Sequence, residues 1–198
     1  MPIPCGGCGR SYDDALFASG RTISCTCGRR VGAEPPAAEP RSGEAPRFAV
    51  DVMLARLARW LRVLGLDATW TADIADADLV RHAQDEGRWL LTRDRALSEE
   101  WRVPRIRLVS CQQPLEQLRE IIDAFSLRDH VQLFARCTRC NAPIEALPRD
   151  VAAQRVPPRV LARNERFWHC PRCERVYWAG SHADRMRRTI ERIVGPDA

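Results

Sequence analysis

The chain has 198 residues, 45% of them hydrophobic, which is enough for one domain of ordinary size together with small additional modules. It has no run of 18 apolar residues and no signal-peptide pattern at its start, so we expect a soluble, cytoplasmic protein with no membrane partner. All 31 basic residues are arginine and the net charge is +5; residues 128–198 hold 14 arginines against 8 acids, which favours a polyanion-binding surface there.

The first 30 residues contain two closely spaced pairs of cysteines. The pairs are Cys5 with Cys8 and Cys25 with Cys27. In a cytosolic chain such pairs are typical of zinc sites, and the few apolar residues around them make a metal necessary for folding. A redox or disulfide pair is the alternative. We predict a four-cysteine zinc ribbon in residues 1–30, followed by a Pro/Ala-rich linker in residues 31–47 that lets the ribbon move.

The stretch 48–65 indicates a buried strand, an acid and a helix. The short apolar run 48–50 ends on Asp51. Apolar residues then recur at helical spacing through residues 53–64, which predicts a helix with one face toward a core. Ligands bind beyond the carboxyl ends of strands in open α/β sheets, so Asp51 occupies a position suited to chemistry.

Strand and helix patterns alternate through the rest of residues 48–127. The predicted elements are strand 67–71, helix 76–87, strand 88–92, helix 96–101, strand 105–110 and helix 114–125. Such alternation favours an α/β domain with a parallel sheet and flanking helices. The absence of a glycine-rich phosphate loop after any of these strands counts against a nucleotide-binding Rossmann or P-loop domain.

Five aspartates follow the predicted strands. Asp51 and Asp94 each come directly after a strand, and Asp73, Asp76 and Asp78 lie between them. Carboxylates that converge on one sheet edge repel one another, and Mg²⁺ or Mn²⁺, which prefer oxygen ligands, relieve that repulsion. Such an ion activates water against a phosphate ester. The alternative is that the acids only cap helices, although a capping acid can also bind a metal.

A second set of cysteines lies in residues 128–198. Its members are Cys137, Cys140, Cys170 and Cys173. Four thiolates leave no open coordination position, so we predict a structural zinc ribbon, followed by an arginine-rich helix over about 182–193. Trp168, Tyr177 and Trp178 flank the second pair and either stack on bases or pack around the zinc knuckles.

Basic residues in two helices are candidates for RNA phosphate contacts. Arg56, Arg59 and Arg62 recur every third residue along the first helix, and Arg56 and Arg59 are nearer Asp51. In the last helix, His182 lies near Arg185. The alternative for both sets is a solvated helix surface.

Several ordered motifs resemble one known family. They are FAVDVMLARLARWLRVLGLD, DADLVRHAQDEGRWLLTRDRAL, RCTRCNAPIE, VPPRV and FWHCPRCERVYWAGSH. From about residue 48 to about residue 186, the chain is similar to the Mut-seven C-terminal RNase domain family. The resemblance implies a PIN-like nuclease domain with a C-terminal zinc ribbon. It implies a metal-dependent RNase whose acids match Asp51, Asp76 and Asp94, with Asp78 a weaker candidate.

The N-terminal ribbon and the linker lie outside this resemblance, whereas all four C-terminal cysteines match the family's zinc site. We expect a PIN-like domain at 48–127 and a ribbon module at 128–198. We predict a ribonuclease with two structural Zn²⁺ ions and a catalytic Mg²⁺ or Mn²⁺, acting on RNA such as tRNA, mRNA or the ribosome. A non-catalytic RNA- or ribosome-binding protein and a protein–protein adaptor are the alternatives, and metal dependence at the acids distinguishes the first of these from the enzyme.

Overall fold

The computed structural model describes residues 2–5, 8–17, 21–27, 30–32, 44–101 and 103–195. Most of the predicted linker therefore lies outside the described residues. The chain divides into two compact units, the first made of Met1–Ala55 with Trp70–Ser110 and the second of Arg56–Thr69 with Cys111–Ala198. Each unit is described separately below.

The described residues form short strands and helices close to the positions that the sequence predicts. The strands are β1 (Ile3–Pro4), β2 (Ser11–Tyr12), β3 (Ile23–Ser24), β4 (Arg30–Val31), β5 (Phe48–Val50), β6 (Ala68–Thr69), β7 (Trp89–Thr92), β8 (Ile106–Leu108), β9 (Glu145–Leu147), β10 (Phe167–His169) and β11 (Val176–Trp178). The α-helices are α1 (Ala55–Val63), α2 (Asp76–Asp85), α3 (Arg95–Glu100), α4 (Pro114–Ala124), α5 (Arg149–Ala153), α6 (Pro158–Arg163) and α7 (Ser181–Val194).

The predicted parallel α/β sheet is confirmed. In the first unit, its strand β7 pairs in parallel with both β5 and β8. In the first unit, Ala49 of β5 and Leu90 of β7 are fully buried against Leu79 and Val80 of α2. Continuous apolar strands of this kind are required where helices cover a parallel sheet, and they place the carboxyl ends of β5 and β7 side by side.

The N-terminal ribbon contacts the end of α3 within the first unit. The backbone N–H of Thr22 donates to the carbonyl of Glu100 at 2.9 Å, and the Thr22 hydroxyl donates to the same oxygen at 2.8 Å. An antiparallel bridge joins Arg21 to Trp101. The last carbonyls of a helix have no partner within the helix, and the ribbon supplies donors to one of them. The sequence did not predict this contact, and the expected mobility of the ribbon stays a prediction.

In the second unit, Arg62 of α1 is buried, with 4% of its surface exposed. Its Nε donates to the carbonyl of Ala68 at 2.7 Å. Its Nη1 donates to the carbonyls of Thr138 and Arg139 at 3.2 and 2.9 Å. The expectation that Arg62 belongs to a solvent-facing arginine edge is therefore wrong, because these carbonyls supply acceptors that compensate for its burial.

Gly65 ends α1 with a left-handed backbone at φ +85°. A Cβ at this position would lie 2.3 Å from the carbonyl oxygen of Gln132, so only glycine fits without backbone movement. The close approach is fixed by a hydrogen bond of 2.9 Å from the Gln132 N–H to the Leu64 carbonyl. This junction joins α1 to the segment that leads into the second cysteine cluster.

The C-terminal part of the second unit has its own small core. Strands β9, β10 and β11 form an antiparallel sheet in the order β11-β10-β9. Phe167 of β10 packs with Leu147, Ala152 and Val156. Helix α7 follows β11 directly, so its first turn lies at the end of this sheet.

Candidate functional site

Three of the predicted acids lie in the first unit at the carboxyl ends of strands or at the start of a helix. Asp51 directly follows β5, is 5% exposed, and its N–H donates to the carbonyl of Leu91 in β7 at 3.0 Å. Asp94 lies two residues beyond the end of β7 and is half-buried. Asp76 is the first residue of α2 and is exposed.

Two of these acids cap helices, as the alternative interpretation held. The Asp51 side chain accepts from the Met53 N–H at 3.4 Å at the start of a short 3-10 helix. The Asp94 side chain accepts from the Ala96 N–H at 2.8 Å at the start of α3. Asp76 is not a cap, because Ala75 occupies the N-cap position of α2 and gives no side-chain hydrogen bond. The position of Asp76 is therefore not explained by capping.

The electrostatics of Asp76 link it to the other two acids. Its pKa is raised above the ordinary aspartate value, first by partial burial and then by the negative charges of Asp51, Asp94 and Glu100. Like charges that disfavour ionisation in this way must lie near one another. The structure thus brings Asp51, Asp76 and Asp94 into one electrostatic cluster, which we call the acid cluster.

The two weaker candidates have other surroundings. Asp78 is exposed and forms an ion pair of 3.0 Å with Arg81, one turn further along α2. Asp73 lies before α2 in a turn, with a left-handed backbone at φ +56° that aspartate tolerates better than most residues. Asp78 therefore already has a partner of opposite charge, unlike the repelled Asp76.

Thr92, the last residue of β7, connects two members of the acid cluster and was missed in the sequence. It is fully buried, its hydroxyl donates to Oδ2 of Asp51, and its Oγ1 accepts from the Asp94 N–H at 2.9 Å. One hydroxyl thereby fixes both acids. The signal in the sequence was a polar residue at the end of a buried strand, two residues before an acid.

The acid cluster suits a hard divalent cation in the type of its donors. Carboxylate oxygens are the ligands that Mg²⁺ and Mn²⁺ prefer, and Mg²⁺ is held by one or two carboxylates together with waters and substrate phosphate. Among the described residues, two groups of three or more possible ligand side chains have donor atoms that all lie within 4.8 Å of one another. These are the two cysteine groups. The oxygens of Asp51, Asp76 and Asp94 do not all lie within 4.8 Å of one another.

The N-terminal cysteines converge in the first unit as predicted. The Sγ atoms of Cys5 and Cys27 are 3.6 Å apart, and those of Cys8 and Cys25 are 3.4 Å apart. A tetrahedral zinc ion with Zn–S bonds of about 2.3 Å places its sulfurs about 3.8 Å apart. Hydrogen bonds, first from the Cys27 N–H and then from the Tyr12 hydroxyl, lower the pKa of Cys25 to about 5, which favours the thiolate that zinc needs.

The C-terminal cysteines form an equivalent cluster in the second unit. The Sγ atoms of Cys137 and Cys173 are 3.5 Å apart, and those of Cys140 and Cys170 are 3.3 Å apart. Burial acts to raise the pKa of Cys137, but hydrogen bonds, the largest from the Tyr177 hydroxyl, outweigh it and bring the pKa to about 6. Both clusters are compatible with structural zinc, because four thiolates leave no open position.

The predicted phosphate-binding residues separate into two groups. Arg59 and His182 line a cleft of about 670 Å³ in the second unit. Arg56 and Arg185 are exposed but do not line it, and the Nε of Arg185 donates to the carbonyl of Ser181 within α7 at 3.3 Å.

Within the part of the chain that the structure describes, no helix is long and apolar enough to cross a membrane.

Comparison with known proteins identifies the family. No curated protein and no solved structure gives a significant match to the chain. The model of the Mut7-C RNAse domain matches residues 46–190, nearly three quarters of the chain, and includes the acid cluster and the C-terminal cysteines. The match confirms the resemblance seen in the motifs and indicates a nuclease-like function. The chain belongs to the Mut7-C RNAse domain family.

Proposed function

We propose that the protein is a metal-dependent ribonuclease that hydrolyses RNA phosphodiester bonds at Asp51, Asp76 and Asp94. The observation that carries the proposal is the environment of Asp76 inside a domain of an RNase family: partial burial, and then the negative charges of Asp51, Asp94 and Glu100, raise its pKa. A bound cation would relieve the cost of ionising a carboxylate in such a place.

The acids differ in how firmly they are held. Asp51 is fixed by burial, its cap and Thr92, and Asp94 is fixed by its own cap and the same hydroxyl. Asp76 lies at the exposed rim, where it meets solvent and substrate. A bound Mg²⁺ or Mn²⁺ would lower the pKa of a water and neutralise charge on the scissile phosphate. Asp51, Asp76 and Asp94 would hold that ion, the first and last as preorganised carboxylates and Asp76 as an exposed one.

In this proposal the two cysteine clusters carry structural zinc and position the RNA. We further propose that the protein acts in the cytoplasm on RNA such as tRNA, mRNA or the ribosome. A second candidate, a non-catalytic RNA-binding protein, is favoured by one observation. Asp51 and Asp94 both serve as helix caps, which accounts for two of the three acids without any metal.

The distinguishing experiment is RNA cleavage by zinc-loaded protein that has been transferred into buffer freed of other divalent ions. A pool of single-stranded and structured RNA is incubated with and without Mg²⁺ or Mn²⁺. The test variant is Asp94→Asn, because asparagine is as good an N-cap as aspartate and the substitution removes only the charge. We expect cleavage that requires the added metal and falls by at least about 100-fold in this variant.

The matched control is Asp85→Asn, which removes an exposed aspartate charge from the last residue of α2, outside the acid cluster. It should cleave like the wild type. If the wild type binds the RNA but never cleaves it, the binding-protein candidate replaces the nuclease. If Asp94→Asn cleaves at the wild-type rate, the acid cluster is not the active site.

A further inference from the structure

The cleft in the second unit is lined by the end of the ribbon sheet and the first turns of α7. It is open, about 670 Å³ in volume, and within the usual range for pockets that hold a small ligand or one nucleotide. Its lining combines aromatic rings with arginines. The aromatic residues are Phe134, Trp168, Tyr177 and Trp178, and the arginines are Arg59, Arg136, Arg175 and Arg187.

Trp178 provides an exposed aromatic surface whose position is fixed. It is 37% exposed at the end of β11, although large apolar side chains are normally buried. A Cβ at Gly180 would lie 3.0 Å from Nε1 and 3.2 Å from Cδ1 of this indole, so the ring packs directly on the glycine backbone. Tyr177 differs, because its hydroxyl lies 3.0 Å from the Cys137 sulfur and it packs on the cysteine cluster.

The arginines of the cleft also fall into two groups. Arg136 is occupied, since it lies 3.5 Å from Asp67 and donates to the carbonyl of Asn141 at 2.8 Å. Arg59 and Arg175 are exposed and form no ion pair with the described residues.

The remaining arginine, Arg187, reaches over an aromatic ring. Its guanidinium stands 5.7 Å from the centre of the Phe134 ring. The described residues that line the cleft include one acid, Asp184. The cleft therefore presents cations around an aromatic surface.

We propose that this cleft binds one nucleotide of single-stranded RNA, with the base stacked on Trp178 and the flanking phosphates held by Arg59 and Arg175. Aromatic stacking with phosphate-contacting arginines is how proteins bind unpaired strands, whereas bases within a duplex are not available to stack on a side chain. The proposal rests on the proposed function for its choice of RNA, but it requires neither the acid cluster nor cleavage.

The test measures the affinity of the zinc-loaded, full-length protein for a fluorescein-labelled 12-nucleotide single-stranded RNA. Fluorescence anisotropy is recorded over a range of salt concentrations without Mg²⁺ or Mn²⁺, so that cleavage does not contribute. Trp178→Ala should raise Kd by about 5- to 100-fold, whereas Trp178→Phe, which keeps a ring, should recover most of the affinity. Arg59→Gln should reduce the slope of log Kd against log salt by about 0.7.

Two controls separate these effects from general causes. Arg119→Gln removes an equal charge from an exposed position on α4 and should leave Kd unchanged. An RNA duplex should bind more weakly and should not respond to Trp178→Ala. Zinc content and circular dichroism of each variant check that the ribbon has folded, and the salt dependence of Arg59→Gln supplies the test if the alanine variant does not fold.

Wild-type affinity in both Trp178→Ala and Arg59→Gln would overturn the proposal. The proposal would also fail if a polyglutamate peptide of equal charge displaced the labelled RNA as effectively as unlabelled RNA does, because charge alone would then explain binding. The outcome is separable from the nuclease proposal. If Trp178→Ala loses binding and the wild type does not cleave RNA, the cleft proposal is supported and the nuclease proposal fails. If the wild type cleaves RNA with metal and Trp178→Ala binds unchanged, the nuclease proposal is supported and the cleft proposal fails.

Discussion

Two of the residues that we propose for catalysis are also helix caps. Asp51 and Asp94 begin helices with their side chains, and both are held by the hydroxyl of Thr92. Asp76 is not a cap, and partial burial, followed by the charges of its acidic neighbours, raises its pKa. A carboxylate whose ionised form is disfavoured in this way is the strongest sign of function in the acid cluster.

This difference predicts that Asp76→Asn stabilises the protein at neutral pH in the absence of divalent ions. A raised carboxyl pKa adds stability that is fully present below the unfolded-state pKa and is lost as the pH rises through the folded-state pKa. At pH 7 the ionised Asp76 is therefore unfavourable. We expect Asn to raise Tm by about 1–2 °C at pH 7, with no gain at pH 3, as measured by differential scanning calorimetry.

Asp78→Asn is the comparison for this measurement, since Asp78 is also an exposed residue of the first turns of α2 but is paired with Arg81. The Tm of Asp78→Asn should not rise above that of the wild type. Added Mg²⁺ should stabilise the wild type more than Asp76→Asn. A lower Tm for Asp76→Asn at pH 7 would show that the carboxylate is favourable in the fold.

The sequence predicts these residues unequally. The positions of Asp51 and Asp94 follow from the sequence, because each acid lies between an apolar strand and a periodic helix. The role of Thr92 does not, because threonine is ordinary in a strand and its two hydrogen bonds depend on how β5 and β7 align. Arg62 was misassigned because its spacing from Arg59 fits a solvated helix surface equally well.

At the scale of elements, helix α1 and the loop at Thr138 and Arg139 depend on each other through Arg62. Arg62→Met keeps the length of the side chain but removes the donors to three carbonyls. We expect a loss of about 3 kcal/mol in the free energy of unfolding, which corresponds to a fall of about 6–12 °C in Tm. Thermal unfolding followed by circular dichroism measures it.

Arg56→Met on the same helix is the matched variant, because Arg56 is exposed. It should change the free energy of unfolding by less than about 0.5 kcal/mol. Equal effects at the two positions would mean that the carbonyls around Arg62 find other donors and that the contact adds little.

The sequence predicts the boundaries of some elements closely, but not every contact that they make. Helix α2 was expected at 76–87 and ends at Asp85, and β7 was expected at 88–92 and begins at Trp89. Their periodicity and apolar content are local properties that the sequence carries. The contact of Thr22 with Glu100 was not foreseen, because no local pattern reveals where a small ribbon will find a free helix carbonyl.

For the whole molecule, two cysteine clusters in two separate units predict two zinc ions per chain. Cys27→Ser and Cys170→Ser should each reduce the zinc content from two to one, measured by mass spectrometry of the purified protein. Their effects on stability should differ. Cys27 is exposed within a small ribbon, whereas Cys170 is fully buried.

Structural zinc supplies much of the folding free energy of such modules, so both variants should destabilise their own module. We expect the larger loss of thermal stability for Cys170→Ser, because Cys170 is fully buried. Circular dichroism at increasing temperature distinguishes the two variants. A zinc content that stays at two in either variant, or equal Tm losses in both, would contradict this division between the units.

The buried guanidinium of Arg62 has a consequence for the biogenesis of the protein. Two of its three acceptors lie between Cys137 and Cys140, so a zinc ion bound by these cysteines would hold both carbonyls in place. A newly translated chain in a zinc-starved cell would keep this side chain hydrated and α1 undocked, and proteases degrade such chains. Zinc shortage should therefore reduce the amount of mature protein and leave the specific activity of the surviving molecules unchanged.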